Sequence, residues 1–252
     1  MKRVMKIFLL LAFSAALVFS NPNVYAEATV NQPIAVFYSP HQDDELLTMG
    51  HAITMHVQLG YEVHVVLLTD GSKSGAIHKV NKEMTKHLLR PLTTKEFSYT
   101  RNLEFVRSLT SLGVKRENIH MAYLQDGGTT VNAIEEVILK FQTRFPNAKH
   151  MAFSYYDDHI DHRNSGLALR ALYNNGLIQD PKFYIQNNER HLRNGLYEPY
   201  LNEYYSSIQK AMIPYLEWNP LRRMYSIGAI SVPGDFELLK RDPRSKYHGP
   251  KE

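Results

Sequence analysis

The chain has 252 residues, 29 Lys and Arg against 25 Asp and Glu, a formal net charge of +4 and no cysteine. The missing thiols exclude a disulfide framework, a thiolate metal site, a cysteine nucleophile and a lipidated N-terminal cysteine. The length suffices for one substantial core and does not require two domains.

At the N-terminus, Lys2, Arg3 and Lys6 precede an apolar run from Ile7 to Phe19, and a short polar stretch ends at Val24-Tyr25-Ala26. This pattern describes a secretory signal peptide over 1–26, cleaved after Ala26, which leaves 27–252 as a secreted or cell-surface protein. The apolar run falls short of the ~20 residues of a spanning helix, so cleavage is favoured over a retained anchor and no stable membrane span is expected afterwards. Cleavage removes three cations and no anion, and the mature chain is nearly neutral. Nucleic acid is therefore not an implied partner.

Ile34 to Tyr38 and Tyr61 to Leu68 are compact runs rich in β-branched and aromatic residues, and both read as buried strands. Between them, Leu46 to Leu59 carries apolar residues at helical spacing and stops at Gly60. The alternation continues with a helix from Thr94 to Leu112, a strand Ile119 to Tyr123, a helix from Asn132 to Phe145, a strand His150 to Ser154 and a helix from His162 to Asn174. Such alternation predicts a Rossmann-like, doubly wound α/β domain with a mostly parallel sheet and helices on both faces. Beyond Gly176 the pattern weakens. Phe183 to Ile185 and Ala229 to Val232 read as short strands, Pro199 to Tyr215 as a helix, and 241–252 as a flexible, solvated tail.

Two clusters of metal-seeking side chains stand out: Pro40-His41-Gln42-Asp43-Asp44-Glu45 and Asp157-Asp158-His159-Ile160-Asp161-His162. Each follows a predicted strand, and in open α/β sheets ligands gather beyond the carboxyl ends of strands. Asp70-Gly71 and Asp126-Gly127 fall at the same rim. His41 and Asp44 are three apart, as are His159 and His162, so a turn of helix would let each pair share one face. That spacing suits zinc bound by His41 and Asp44 with Asp43 facing water; only one of the two later histidines is needed to complete a three-ligand set. Capping of a helix explains one carboxylate of the first cluster, not the whole of it. The remaining histidines have no such company and read as surface or satisfied residues.

The paired motifs resemble those of the LmbE-like or PIG-L-type zinc-dependent N-acetylglucosaminyl deacetylases, whose pattern is PHxDDE after the first strand and HxDH after a later one. The resemblance extends to Leu68-Thr69-Asp70-Gly71, to Arg101 and Glu104 in the helix before Leu112-Gly113-Val114, and to Asp126-Gly127, covering about residues 34 to 170. It implies zinc, or Fe2+ at such a donor set, held by His41, Asp44 and His162, with Asp43 as general base toward a metal-bound water. It further implies that His159, as imidazolium, steadies the oxyanion and that Asp161 orients a histidine, although the sequence does not say which. Glu45 reads as serving the loop. Asp70, Arg101 and Asp126 are candidate substrate-binding residues, against the alternatives of Asp-Gly turns and, for Arg101, an ordinary helix pair. The Asp157-Asp158 pair and the tyrosines with Trp218 are candidate substrate contacts of lower rank.

The implied activity is an exported hydrolase removing acetyl from an N-acetylated amino sugar, free or in a glycoconjugate such as a cell-wall or extracellular polysaccharide. The rivals are a zinc hydrolase of another amide or ester and a catalytically silent carbohydrate-binding protein.

Overall fold

The computed structural model describes residues 32–251, so the expected leader at 1–26 lies outside the described residues. Strand β1 (Ile34–Ser39) lies beside β2 (Glu62–Thr69), with α1 (Asp44–Leu47) and α2 (Gly50–Gln58) between them in sequence. Then come α3 (Ala76–Lys86), α4 (Thr94–Ser111), β3 (Ile119–Leu124), α5 (Val131–Arg144), β4 (Lys149–Phe153), α6 (Ile160–Asn174) and β5 (Lys182–Ile185). The last third adds β6 (Leu196–Tyr197), α7 (Tyr204–Leu216), β7 (Trp218–Asn219), β8 (Met224–Tyr225), α8 (Ile227–Ser231), α9 (Pro233–Arg241) and β9 (Lys246–His248).

The main sheet runs in the order β3-β2-β1-β4-β5-β9-β6. β1 to β5 pair in parallel, and β9 is antiparallel to both β5 and β6. Strand pleating divides the core. Ala35, Phe37, Val65, Leu67, Met151 and Phe153 face a layer built from α1, α2, α4, α7 and α9, whereas Val36, Tyr38, Val66, Leu68 and Ala152 face α5 and α6. Helices therefore cover both faces of one domain, as the alternation predicts. The order reverses between β1 and β4, and the crevice beyond their carboxyl ends is where such sheets bind ligands.

Four expectations change. The predicted helix 46–59 is two helices, broken at Thr48 and Met49. α3 was not predicted; Ala76, Val80 and Met84 lie one turn apart and form a narrow buried stripe on an otherwise polar helix. Ala229 to Val232 is not a strand: Ile227–Ser231 is a short helix, seated where Gly228 has no room for a Cβ against Tyr215 and Phe236. Residues 241–251 are not a solvated tail either. β9 is an interior strand, and buried polar contacts hold it: Ser245 Oγ donates to the Thr48 carbonyl (2.8 Å) and Ser245 N–H to His51 Nδ1 (3.1 Å), while His248 Nε2 lies 2.8 Å from Ser154 Oγ. Polar residues that are buried by pairing leave no apolar run to read.

A buried histidine on β4 gives the fold a pH dependence. His150 is fully buried, with Tyr38 Oη 2.9 Å from Nδ1 and Gln142 Oε1 2.9 Å from Nε2, and burial depresses its ring to about 4 from an ordinary 6.5. Between those values the unfolded chain takes up a proton that the folded one refuses, so this group costs stability as pH falls through that window. The melting temperature of a His150→Gln variant is expected to fall less between pH 6.5 and 4 than that of the parent protein; parallel curves would contradict this.

Candidate metal centre

The loop after β1 and the start of α6 bring the two clusters together. His41 Nδ1 lies 3.2 Å from Asp44 Oδ2 and 3.2 Å from His162 Nε2, and His162 Nε2 lies 3.1 Å from the same Asp44 oxygen. Three donor atoms from distant parts of the chain thus form a nearly equilateral triangle. Zinc ligands at 2.0–2.2 Å in tetrahedral array stand ~3.3 Å apart, so the triangle has the size of one face of such a site.

The far sides of both rings fix where their protons sit. His41 Nε2 lies 3.0 Å from Asp161 Oδ2 and 3.4 Å from Asp126 Oδ1. His162 Nδ1 lies 3.2 Å from Asp157 Oδ2. The remote nitrogen of His41 is hydrogen-bonded to Asp161 and that of His162 faces the charge of Asp157, which favours ring protons on the outer sides and leaves two nitrogen lone pairs and one carboxylate oxygen aimed at a common point, an arrangement that a cation satisfies. Protons are the alternative occupant. Burial alone would lower both rings, yet Asp44 and Asp157 push His162 up to about 9, and Asp126, Asp161 and Asp44 raise His41 well above its usual value. Asp44 is held well below the carboxylate range by His162 and His41 despite its burial.

Asp161 settles which histidine it serves. Its carboxylate accepts the N–H groups of Gly127 (2.8 Å), Gly128 (2.8 Å) and Thr129 (2.9 Å) as well as facing His41. The Gly127-Gly128 turn, with both φ values positive, lets three successive amides converge on one acid. An Asp161→Asn variant is expected to lose about 10–100-fold in zinc affinity, read by competition with a chromogenic chelator; unchanged affinity would contradict the assignment.

Asp43 sits beside the triangle with φ +91°, a conformation an L residue adopts at a cost of about 1–3 kcal/mol. Burial pushes its carboxyl up to about 7 although Arg101 opposes the shift. Glu45 is buried beneath it and accepts the Asp43 N–H (3.0 Å), which bears out a loop role. His159 caps α6: its Nδ1 accepts the Asp161 N–H at 3.3 Å. A ring accepting at Nδ1 is neutral and carries its proton on Nε2. Burial and the neighbouring His162 and His41 also lower its pKa, so the structure supports a neutral donor rather than the imidazolium that the resemblance implies.

A cavity of about 280 Å³ opens over this centre, with His41, Asp43, Asp44, His159 and His162 in its wall. That lies at the small end of ligand pockets, which span ~300–1,000 Å³. Of the candidate substrate contacts, Arg101 and Asp126 also line it, but both are engaged. Arg101 Nη2 donates to the Gln42 carbonyl (2.9 Å) and lies 3.7 Å from Asp43 Oδ2. Asp126 Oδ2 accepts the Lys73 N–H at 2.6 Å. Asp70 does not line the cavity; its carboxylate accepts the Ser72 N–H within its own turn. Asp157 is buried against His162 and does not line the cavity, while Asp158 is exposed. Trp218 packs on Tyr225 and His87, and no tyrosine is among the described residues lining the cavity. Gln186 and Asp235, which do line it, carry no motif in the sequence.

The family model described as PIG-L, GlcNAc-PI de-N-acetylase, matches residues 36–173. No curated protein sequence matches the chain. Among solved structures, the A40926 pseudoaglycone deacetylase is similar with 17% identity over 87% of this chain and 96% of that one, at a TM-score of 0.62. The N,N'-diacetylchitobiose deacetylase of Pyrococcus horikoshii is similar with 17% identity over 87% of this chain and 84% of its own, at a TM-score of 0.57. The 4-carboxy-2-hydroxymuconate hydratase of Pseudomonas putida is similar with 14% identity over 86% and 96%, also at 0.57. At these identities the likeness is one of fold, and a fold that carries both deacetylases and a hydratase leaves the reaction to be argued from the site.

Proposed function

The chain belongs to the PIG-L family of GlcNAc-PI de-N-acetylases, and on that premise we propose that it is an exported, zinc-dependent hydrolase that removes the acetyl group from an N-acetylated amino sugar of N-acetylglucosamine type. The observation that carries this reading is the triangle of His41 Nδ1, Asp44 Oδ2 and His162 Nε2 with the Asp43 carboxyl beside it. Export rests on the leader, and with it the choice of a cell-wall or extracellular glycoconjugate as substrate.

His41, Asp44 and His162 are the residues that would hold the ion; Fe2+ suits the same two-nitrogen, one-oxygen set. Zinc held there supplies Lewis acidity toward the acetamide carbonyl and lowers the pKa of water toward ~7. Asp43 takes the proton from the attacking water, a task suited to a carboxyl raised to about 7. Arg101, fixed on the Gln42 carbonyl, keeps the Asp43 carboxylate aimed and partly charged. His159 lines the cavity with an Nε2–H donor for the oxygen that gains charge as water adds to the carbonyl. Collapse breaks the C–N bond, and the leaving nitrogen takes back the proton held by Asp43, giving acetate and a free amine.

The test follows acetate release by zinc-loaded protein from N-acetylglucosamine, its oligomers and O-acetylated sugars. Release from the N-acetyl compounds, abolished by chelator and restored by zinc or Fe2+, is expected. No acetate from any N-acetylglucosamine compound would remove the deacetylase reading, and release from the O-acetyl sugars alone would replace it with an esterase.

A further inference from the structure

We propose that Tyr215, acting with Glu45, is a positioning residue that holds the Gln42–Asp43 peptide in the strained conformation from which the Asp43 carboxylate reaches water. The inference rests on the reading of Asp43 as the base. It adds a residue from α7, which lies beyond the 36–173 span that matches the family.

The observations concern one peptide unit. A left-handed φ of +91° at an aspartate persists only where the surroundings over-determine it. Here both ends of the peptide are pinned. On one side, Arg101 donates from Nη2 to the Gln42 carbonyl at 2.9 Å. On the other, the Asp43 N–H is shared between Glu45 Oε2 and the Tyr215 hydroxyl oxygen, each at 3.0 Å. The Tyr215 hydroxyl in turn donates to Glu45 Oε1 at 2.8 Å, which closes a ring of three hydrogen bonds beneath the loop. Glu45 is wholly buried and Tyr215 is 1% exposed, so water does not substitute for either partner. Opposite the ring, the Asp43 carbonyl accepts from the N–H groups of Leu46 (3.0 Å) and Leu47 (2.9 Å), which ties the same residue to α1.

Tyr215 is placed for this by the C-terminal layer. Its ring packs on Phe236 of α9 with centroids 5.7 Å apart, and α8 passes over both because residue 228 is glycine. The chain that the family pattern does not describe thus reaches the floor of the catalytic loop through one hydroxyl. A buried tyrosine needs a partner in any case; what sets this one apart is that its partners are the backbone of the base and the acid two residues beyond.

The test compares two variants. Tyr215→Phe removes only the hydroxyl and is expected to lower kcat by about 10–100-fold with KM within about threefold and zinc stoichiometry unchanged, since displacement of a reacting group by an ångström costs that much. Ile138→Val loosens the core on the opposite face of the sheet, away from Tyr215, and is expected to lower the melting temperature while kcat stays within about threefold. If the Tyr215→Phe chain does not fold, Glu45→Gln carries the same kcat expectation. A crystal structure of the Tyr215→Phe protein supplies a readout independent of turnover: Asp43 is expected to leave the left-handed region. Wild-type kcat in Tyr215→Phe, an equal kcat loss in Ile138→Val, or an unmoved Asp43 overturns the positioning role and leaves the deacetylase reading standing. A parent protein that releases no acetate sinks that reading instead, and the Asp43 conformation in the variant then decides the positioning role by itself.

Discussion

Replacement of Asp43 by asparagine is expected to lower kcat by about 10²–10⁴-fold while the protein keeps its metal and its fold. The asparagine preserves the shape and the backbone contacts, including the N–H shared by Glu45 and Tyr215, and removes only the ability to take a proton. Because Asp43 is not a corner of the donor triangle, zinc content measured on the purified variant should match the parent. KM should change little, since the lost interaction belongs to the transition state. A variant that retained kcat within a few fold would mean that another group removes the proton.

Replacement of Asp44 by alanine is expected to do the opposite: metal is lost first and activity with it. Its Oδ2 touches both histidine nitrogens and also accepts the His41 N–H at 2.9 Å, so one oxygen organises the whole triangle. Zinc affinity should fall by more than the ~10–100-fold that outer partners such as Asp161 are worth. Turnover at limiting zinc should drop to background, with partial recovery at high zinc. Full activity at stoichiometric zinc in Asp44→Ala would remove Asp44 from the ligand set.

The contrast between these two neighbours shows what the sequence could reveal. Asp43 and Asp44 are adjacent and identical in type, and their spacing from His41 separates them because a turn carries residue 44, not 43, back over His41. Strands β1 to β4 and helices α4 to α6 were legible because their apolar periodicity matches burial on a two-faced sheet. The outer partners were not. Whether Asp157 or Asp158 faces a histidine depends on side-chain direction at a bend, and the structure buries the first against His162 while the second is exposed. Asp161 serving His41 rather than the nearer His162 depends on a glycine turn from another strand. Tyr215 stands 170 residues from the glutamate it meets, with nothing local to mark it. β9 and α8 failed for a related reason: polar pairing decides one and tight packing the other, and neither leaves a periodic trace.

A crystal structure of the zinc-loaded protein with anomalous data at the zinc edge would locate the ion. One ion is expected about 2.0–2.2 Å from His41 Nδ1, Asp44 Oδ2 and His162 Nε2, with Asp43 outside the ligand set. His41, Asp126 and Asp161 also offer donor atoms within 4.8 Å of one another. An ion seated among those three, with His162 and Asp44 unengaged, would contradict this ligand set.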